Sequence, residues 1–361
     1  MAPARPPAIT RSDDKPAVSA PGSARDPSSS DAAGHPARAA WLAGVQLGCG
    51  VMPVTDAFAR RFAADHFGSR ASGVRMLGAG EWSRAYEMSL DGREVVIRFG
   101  DHVGDFRKDQ VMAACSCAAL PVPAVIEIGR AGGGYFAVSE RATGQPLDGL
   151  DEPGMRAVLP GLLAALDAIR RVGVRGSRGY GIWAPDRRAP AATWPQALLA
   201  ISQETSRVPG WRAALRRVPA SQRCFDHAHA RLAELAAGLP AQRRLIHGDL
   251  LNRNVLVQAS RITAVIDWGN AMYGDWLYDA AWLIYWWPWY PQWRAIDIRA
   301  ALTSHWQEHG TPPGLDHRLR AYQLHIGLDA MTYSAYRGRR DDLDRNTTQV
   351  AGLTQRPEHR P

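Results

Sequence analysis

The stretch LIHGDLLNRNVLV, from Leu245 to Val257, places a histidine, an aspartate and an asparagine between two apolar ends. Buried polar groups are costly unless they are paired or used, so the pattern predicts either a structural turn or a functional site. Thirteen residues after Asn254, the segment RITAVIDWG (Arg261–Gly269) carries Asp267 at the end of a short apolar run. The two apolar runs predict the strands of one hairpin, which would bring Asn254 and Asp267 together beside the loop that holds Asp249.

These three polar side chains have the properties that phosphoryl transfer requires. Magnesium prefers oxygen ligands and takes few of them from protein, and the amide of Asn254 and the carboxylate of Asp267 can supply them. Asp249, which is left without a metal, can accept a proton from an attacking hydroxyl group. The order His-x-Asp, Asn, Asp-x-Gly is also that of protein-kinase catalytic segments. In the competing structural interpretation Asp249 caps a turn and Asp267 ends a strand, which leaves the order of all three unexplained.

Hydrophobic periodicity divides the chain into a β-rich part and a helical part. Strand patterns occur in three segments, with a short helix predicted near Asp105–Ala119: Gly73–Leu90, Arg93–Gly100 and Pro121–Arg141. Helical spacing dominates from residue 150 onward, in Met155–Ile169, in Phe225–Leu239 and over most of 275–336. We therefore predict an α+β, protein-kinase-like two-lobe fold, with a small, mainly β N-lobe and a larger, mainly α C-lobe.

Composition sets the expected domain boundaries. Residues 1–38 contain seven prolines and no aromatic residue, so they cannot bury enough apolar surface to fold, and we predict a disordered N-terminal tail. The N-lobe is expected over 39–141 and the C-lobe over 142–340. Residues 341–361 are predicted to form a flexible C-terminal tail.

Charge and cysteine usage narrow the class of protein. The net charge of +8 comes almost entirely from arginine, since Lys15 and Lys108 are the two lysines, and no Lys/Arg-rich run marks a nucleic-acid face. The four cysteines show no metal-ligand spacing, which favours reduced thiols. No run of 18 apolar residues predicts a membrane span. We expect a cytoplasmic monomer that binds neither nucleic acid nor membrane.

The β lobe carries a weaker set of candidate nucleotide-binding residues. The segment GAGEWS contains Gly78 and Gly80, whose N–H groups could face a phosphate, although a plain hairpin turn would look the same. Arg98 lies where a kinase-like fold places its phosphate-binding lysine, and its fork of donors suits that task. Asp109 on the following helix is the expected acidic partner of Arg98, with Asp105 as a competing candidate.

Several longer segments show a resemblance to the aminoglycoside phosphotransferase family. They span about residues 55–335 and are EWSRAYEM, VVIRFGDHVGDFRKD, AALPVPAVIEIG, RITAVIDWGNAMYGDWLYDAAW, WWPW and RLRAYQLHIGLD. The resemblance implies a kinase-like fold, ATP as the phosphate donor, Mg²⁺ as the metal and an aminoglycoside as the acceptor, with antibiotic resistance as the outcome. A kinase of another alcohol, such as a sugar or an amino alcohol, and a non-catalytic nucleotide-binding protein remain alternatives.

The resemblance also assigns roles to individual residues. It makes Asp249 the catalytic base, Asn254 and Asp267 the magnesium ligands, and His247 and Asp279 the structural support of the catalytic loop. It also implies substrate-binding positions at Trp286 and Trp289, and nucleotide-binding positions at Ser83, Arg98, Ser139, Glu140 and Arg141. These join Gly78, Gly80 and Asp109, which are predicted to bind nucleotide from their positions in the chain. One departure from the family pattern is Arg253, which stands where a neutral polar residue is expected.

Overall fold

A computed structural model describes residues 54–80 and 82–355 of the chain. The predicted N-terminal tail, 1–38, and the first part of the predicted N-lobe lie outside the described residues. The described part begins with helix α1 (Asp56–Phe67), which Thr55 caps through its side-chain oxygen.

The predicted β lobe is confirmed as a five-stranded antiparallel sheet. Its strands are β1 (Ala71–Ala79), β2 (Ser83–Leu90), β3 (Arg93–Gly100), β4 (Val125–Ala131) and β5 (Gly134–Glu140), in the spatial order β1-β2-β3-β5-β4. The turn between β2 and β3 uses Asp91 and Gly92, both at positive φ, as a two-residue hairpin requires. Aromatic side chains of α1 cover one face, where the Phe62 ring lies 4.8 Å from that of Phe136.

Side chains along β3 alternate between the two faces of the sheet, and this alternation decides which of them face the cleft between the lobes. Val95, Ile97 and Phe99 are buried in the core beneath α1, so Arg98 lies on the opposite face of the sheet. Helix α2 (Val103–Ala113) packs against that face. This helix ends six residues before the predicted boundary at Ala119, and the chain then forms a tight turn in which Cys117 and Leu120 exchange backbone hydrogen bonds.

The C-lobe is mainly helical, as predicted. Its helices are α3 (Glu152–Arg171), α4 (Trp194–Leu199), α5 (Trp211–Arg216), α6 (Pro219–Ala236), α7 (Leu277–Trp286), α8 (Ile298–His309), α9 (Leu315–Tyr336) and α10 (Arg340–Gln355). Helix α9 is buried along most of its length and packs against α6, α7 and α10, so it forms the centre of this lobe.

Two small sheets lie in the C-lobe and hold its loops. One has the order β10-β9-β6 and the other β7-β11-β8, with strands β6 (Gln145–Pro146), β7 (Gly181–Ile182), β8 (Arg244–Ile246), β9 (Val255–Gln258), β10 (Arg261–Val265) and β11 (Met272–Gly274). The predicted hairpin is therefore confirmed, as β9 and β10 pair antiparallel.

The predicted flexible C-terminal tail, 341–361, is wrong over most of its length. Residues 340–355 form helix α10, and Leu343, Val350 and Leu353 are buried against α9 and α6. Its sequence, RDDLDRNTTQVAGLTQ, is so polar that three spaced apolar residues do not reveal a helix before the surface beneath them is known. The C-lobe thus continues to residue 355. Across the described ranges, no helix has the length and apolar character needed to traverse a lipid bilayer.

Candidate active site

The β9–β10 hairpin brings the two predicted metal ligands together. Its register places Asn254 and Asp267 at the same end, and the Asn254 carbonyl accepts the N–H of Ile266 at 2.9 Å. The side-chain Nδ2 of Asn254 donates to the carbonyl of Asp249 at 2.9 Å. Because that bond uses the amide nitrogen, the amide oxygen remains able to bind a cation.

Asp267 has a strained backbone conformation and a carboxylate with a raised pKa. Its φ of 64° lies in the left-handed region, which costs a non-glycine residue about 1–2 kcal/mol and is typical of functional sites. The side chain is solvent-exposed, yet loss of hydration to the surrounding protein and the charge of Asp109 raise its pKa to about 6, against the lowering effects of Arg98 and the Gly269 N–H. A cation bound between Asn254 and Asp267 would relieve this excess of negative charge.

Asp279 supports the loop that carries Asp249. Its two carboxylate oxygens accept the backbone N–H groups of His247 and Gly248 at 2.9 and 2.8 Å. Burial raises the pKa of Asp279 to about 7, although both hydrogen bonds act in the opposite direction. The carboxylate lies in the first turn of α7, where the helix dipole also favours negative charge.

His247 fixes the other side of the loop. The buried ring contacts the carbonyl of Ile266 through Nε2 at 3.1 Å, and Nδ1 accepts the N–H of Asp249 at 3.2 Å. Burial lowers the pKa of His247 to about 4, so the neutral imidazole with its proton on Nε2 satisfies both contacts. The ring packs 4.4 Å from the indole of Trp268. These contacts are compatible with the supporting role predicted for His247, which stays a prediction.

Helix α2 ties the N-lobe to the segment that follows Asp267. Arg98 forms an ion pair with Asp109, and the other oxygen of Asp109 accepts the Trp268 N–H at 2.9 Å. The predicted pairing of Arg98 with Asp109 is confirmed. The competing candidate, Asp105, instead binds Arg207 at 2.6 Å.

Lys108 is a positioning residue that the sequence reasoning missed. Its ammonium group is buried and donates to the carbonyls of Gly269 and Ala271 at 2.7 and 3.0 Å. It also lies 4.7 Å from the ring centre of Trp183, and burial lowers its pKa to about 7. The available signal was that this lysine, in a chain with only two, stands beside Asp109.

Arg207 is a second residue that sequence reasoning missed. It comes from the loop between α4 and α5 and reaches the N-lobe, where both oxygens of Asp105 accept from its Nη2 at 2.6 and 2.8 Å. Its guanidinium carbon also lies 5.6 Å from the ring centre of Trp82, in the glycine-rich turn. No local sequence pattern marks a contact between residues about one hundred positions apart.

The glycine-rich turn joins β1 and β2 as predicted. Gly78 lies in β1, Gly80 donates its N–H to the carbonyl of Ser83 at 2.8 Å, and β2 begins at Ser83. Arg207 lies over the Trp82 ring of this turn. Its contact with phosphate stays a prediction.

The predicted hinge lies where β5 ends. Ser139 and Glu140 belong to β5, and the N–H of Glu140 already donates to the carbonyl of Ala124. The Arg141 side chain forms a 2.6 Å ion pair with Glu87 within the N-lobe. The Glu140 N–H is therefore occupied, and an adenine ring would have to form its hydrogen bonds with other backbone groups of this segment.

The two predicted substrate-binding tryptophans differ in their surroundings. Helix α7 ends at Trp286, so Trp289 lies in the following 3₁₀ turn and not on the same helix, although their ring centres are 5.1 Å apart. Trp286 is half-buried, and its N–H has no acceptor among the described residues. Trp289 is 6% exposed, donates to Gln349 at 2.9 Å and is covered by the guanidinium of Arg345. These contacts explain the burial of Trp289 without a ligand.

Comparison with known proteins agrees with this architecture. The model of the phosphotransferase enzyme family matches residues 74–316. The chain is 33% identical over 295 residues to hygromycin-B 4-O-kinase of Escherichia coli, covering 80% of this chain and 82% of that enzyme. The chain belongs to the phosphotransferase enzyme family. Its members transfer a phosphoryl group, and the arrangement around Asp249 has the residues for that reaction.

Solved structures extend the likeness to three dimensions. A thermostable mutant of aminoglycoside phosphotransferase APH(4)-Ia, in ternary complex with AMP-PNP and hygromycin B, superposes with a TM-score of 0.72 at 31% identity, covering 82% of this chain and 97% of that one. The gentamicin complex of APH(2″)-IIa shares the fold at 13% identity, with a TM-score of 0.56 over 85% and 98% of the two chains. The predicted kinase-like, two-lobe fold is confirmed.

Proposed function

We propose that this protein transfers the terminal phosphoryl group of ATP to a hydroxyl group of an aminoglycoside, hygromycin B, and thereby confers resistance to it. The observation that carries the proposal is the grouping of Asp249, Asn254 and Asp267 at one end of the β9–β10 hairpin, joined by the Asn254–Asp249 hydrogen bond. The likeness to a hygromycin-B 4-O-kinase supports the choice of acceptor.

The roles of these residues follow from their surroundings. Asn254 and Asp267 would hold Mg²⁺, which neutralises charge on the donor phosphates when it is bound. Asp249 takes the proton of the acceptor hydroxyl as its oxygen attacks phosphorus. Asp279 and His247 keep the loop of Asp249 in place through backbone hydrogen bonds. All of these groups come from one chain, which supports activity as a monomer. The use of ATP supports a location in the cytoplasm, where ATP is available.

The C-lobe also offers groups for an acceptor that carries amines. Helices α7 and α9 pack side by side, with the Tyr278 hydroxyl bonded to Nδ1 of His325 at 2.9 Å. One turn further along these helices are Trp282 and Asp329, and another turn along α7 is Trp286. The indole N–H groups of both tryptophans have no acceptor within the described residues.

Asp329 is unusual for its position on a buried helix. Its neighbours Leu328 and Ala330 are buried, whereas Asp329 itself is exposed. Desolvation by the surrounding protein nevertheless raises the pKa of Asp329 to about 6. The carboxylate is thus accessible to solvent while the surrounding protein still removes part of its hydration. No side chain in 54–80 or 82–355 bonds to the carboxylate. Burial and, after it, the charge of Asp329 raise the pKa of Tyr278. We propose that Asp329 binds an ammonium group of the acceptor, which would let a chain of net charge +8 bind a polycation.

Purified wild-type protein with Mg²⁺ and ATP tests the proposal against a panel of aminoglycosides, sugars and amino alcohols. We expect ADP release with hygromycin B and a phosphate ester of it by mass spectrometry, with turnover by Asp249→Asn reduced at least about a hundredfold. Turnover with a simple sugar or amino alcohol alone would favour the kinase of another alcohol. Nucleotide binding without any turnover would favour the non-catalytic alternative.

A further inference from the structure

Arg253 extends from the catalytic loop to the glycine-rich turn. It lies in the 3₁₀ turn Asn252–Asn254, between the proposed base Asp249 and the proposed ligand Asn254. Its Nη1 is the nearest atom to the position that a Cβ on Gly78 would occupy, at 3.8 Å. The guanidinium therefore spans the cleft between the C-lobe loop and the N-lobe turn.

The other cations around this cleft are already bound to protein groups. Arg98 is paired with Asp109, Arg207 with Asp105, and Lys108 donates to two backbone carbonyls. Arg253, by contrast, is exposed and forms no ion pair with any carboxylate in the described ranges. A positive charge that pairs with no described carboxylate, and that lies between these two segments, is available to an anionic ligand.

The chemistry of the transfer supplies such an anion at this place. The acceptor oxygen forms a bond to the terminal phosphorus, while the bond from that phosphorus to its bridging oxygen breaks. ADP leaves with the electron pair, and the acceptor proton passes to Asp249. Negative charge lies on the equatorial oxygens throughout, and an arginine fork can donate two hydrogen bonds to them.

We propose that Arg253 is a catalytic residue that contacts the terminal phosphoryl group of the donor nucleotide as this group passes to the acceptor. The inference rests on the proposed phosphotransfer but not on the identity of the acceptor. It adds a cation from the catalytic loop to the charge that Mg²⁺ would supply, and it explains why an arginine stands beside Asn254.

Equilibrium binding of ATP and ADP, each with Mg²⁺ and without acceptor, tests the contact in the full chain. Arg253→Met should weaken ATP binding several-fold more than ADP binding, because only ATP carries the terminal phosphate. A contact that merely held the glycine-rich turn would weaken both nucleotides alike and would overturn the proposal. Since no acceptor is present, this measurement stays informative if hygromycin B proves not to be the substrate.

Steady-state kinetics test the role in transfer, with the best acceptor found or with water as the acceptor if none is found. Arg253→Met should lower kcat by about 10²–10³, the range for removing a donor to a developing oxyanion, and should change the KM for acceptor little. Arg253→Lys should restore part of the rate, since it keeps the charge and loses the fork. The matched control is Arg261→Met, an exposed arginine at the far end of the same hairpin.

Melting temperatures of the three variants separate these effects from misfolding. Arg253 is exposed and bonded to no described side chain, so we expect all three to melt as the wild type does. Wild-type kcat and a wild-type ratio of ATP to ADP affinity in Arg253→Met would refute the proposal. If Arg253→Met melts early, Arg253→Gln replaces it in both measurements, and wild-type kcat together with a wild-type affinity ratio in that variant would refute the proposal.

Discussion

The proposed donor side of the cleft, around Asp109 and Lys108, and the proposed acceptor side, around Asp329, differ in whether their polar groups have partners within the protein. On the proposed donor side, the charged groups other than Arg253 are bonded to protein: Asp109 joins Arg98 to Trp268, and Lys108 joins α2 to the carbonyls of Gly269 and Ala271. On the proposed acceptor side, the carboxylate of Asp329 and the indole N–H groups of Trp282 and Trp286 have no partner within the described part of the chain.

This difference matches the demands of the two substrates. The donor nucleotide brings the same phosphates to every reaction cycle, so the groups that receive them gain from being held rigidly before binding. An acceptor is selected by the hydrogen bonds it completes, and unpaired polar groups reject molecules that leave them unsatisfied. Substitutions on the donor side should therefore reduce rate, whereas those on the acceptor side should change affinity for one class of molecule.

The largest effect is expected for Asp249→Asn. The amide cannot take the acceptor proton, so kcat should fall by about 10²–10⁴. Nucleotide affinity should stay within a factor of about two, since the side chain does not contact the donor. Rapid-mixing assays of phosphate transfer and a separate nucleotide titration provide the two numbers. Retention of most of the rate would remove Asp249 from its proposed role.

The metal pair should show the next largest effect. Even the loss of a group that orients a metal ligand typically costs about 10–100-fold in metal affinity, and Asp267→Ala removes a charged ligand outright. Asn254→Ala should cost less, because it removes a neutral oxygen. Titrating Mg²⁺ into nucleotide-loaded protein measures both, and unchanged affinity in both variants would contradict the assignment.

The pKa of Asp267 predicts a pH dependence with opposite signs for metal and for stability. Below pH about 6 the protonated side chain binds Mg²⁺ poorly, so metal affinity should fall with each unit of acidification. Without metal, the raised pKa means that the folded state binds more protons than the unfolded state, so this stabilising effect is lost as pH rises through about 6. Melting of wild type against Asp267→Asn, in the presence of a chelator, should show the wild type losing relative stability over that range.

The sequence predicted the donor side better than the acceptor side for a physical reason. Asn254 and Asp267 flank one hairpin, and Asp249 lies in the loop just before it, so spacing along the chain indicates which side chains meet. Lys108 and Arg207 act across the lobes, on partners far away in the chain, and nothing local to either residue indicates those contacts. Asp329 looks like an ordinary polar residue of an amphipathic helix until burial of its neighbours shows that the surrounding surface is internal.

The C-terminal helix illustrates the same limit. Its apolar residues are too few to predict a packed helix, and its burial depends on the groove that α6 and α9 leave between them. Trp289 was assigned to the substrate by resemblance. It contacts Gln349 and Arg345 of α10, and these contacts cannot be foreseen while residues 341–361 are expected to form a flexible tail. Its role in substrate binding stays a prediction.

A smaller effect is expected on the acceptor side from Asp329→Asn. A hydrogen bond to a charged group contributes about 1.5–3 kcal/mol, so the KM for hygromycin B should rise on the order of tenfold or more. The KM for ATP should remain unchanged. The control is Asp341→Asn, which removes an exposed carboxylate of α10. Equal changes in the two variants would indicate a general effect of net charge and not a specific contact.

The smallest effect on activity is expected for Trp289→Phe, compared with Trp286→Phe as its matched partner. The Trp289 variant loses the hydrogen bond to Gln349 and part of the ring under Arg345, so its free energy of unfolding should fall by about 1–2 kcal/mol. Its KM for hygromycin B should stay near the wild-type value, because neither contact involves the acceptor. The Trp286 variant loses a donor that no described residue uses, so its stability should change little while its KM rises. Thermal melts and kinetics on both variants distinguish the two positions. If Trp289→Phe instead raised the KM at unchanged stability, the result would support the substrate role that the resemblance implies for Trp289. The proposed acceptor site would then include the 3₁₀ turn that contains this residue.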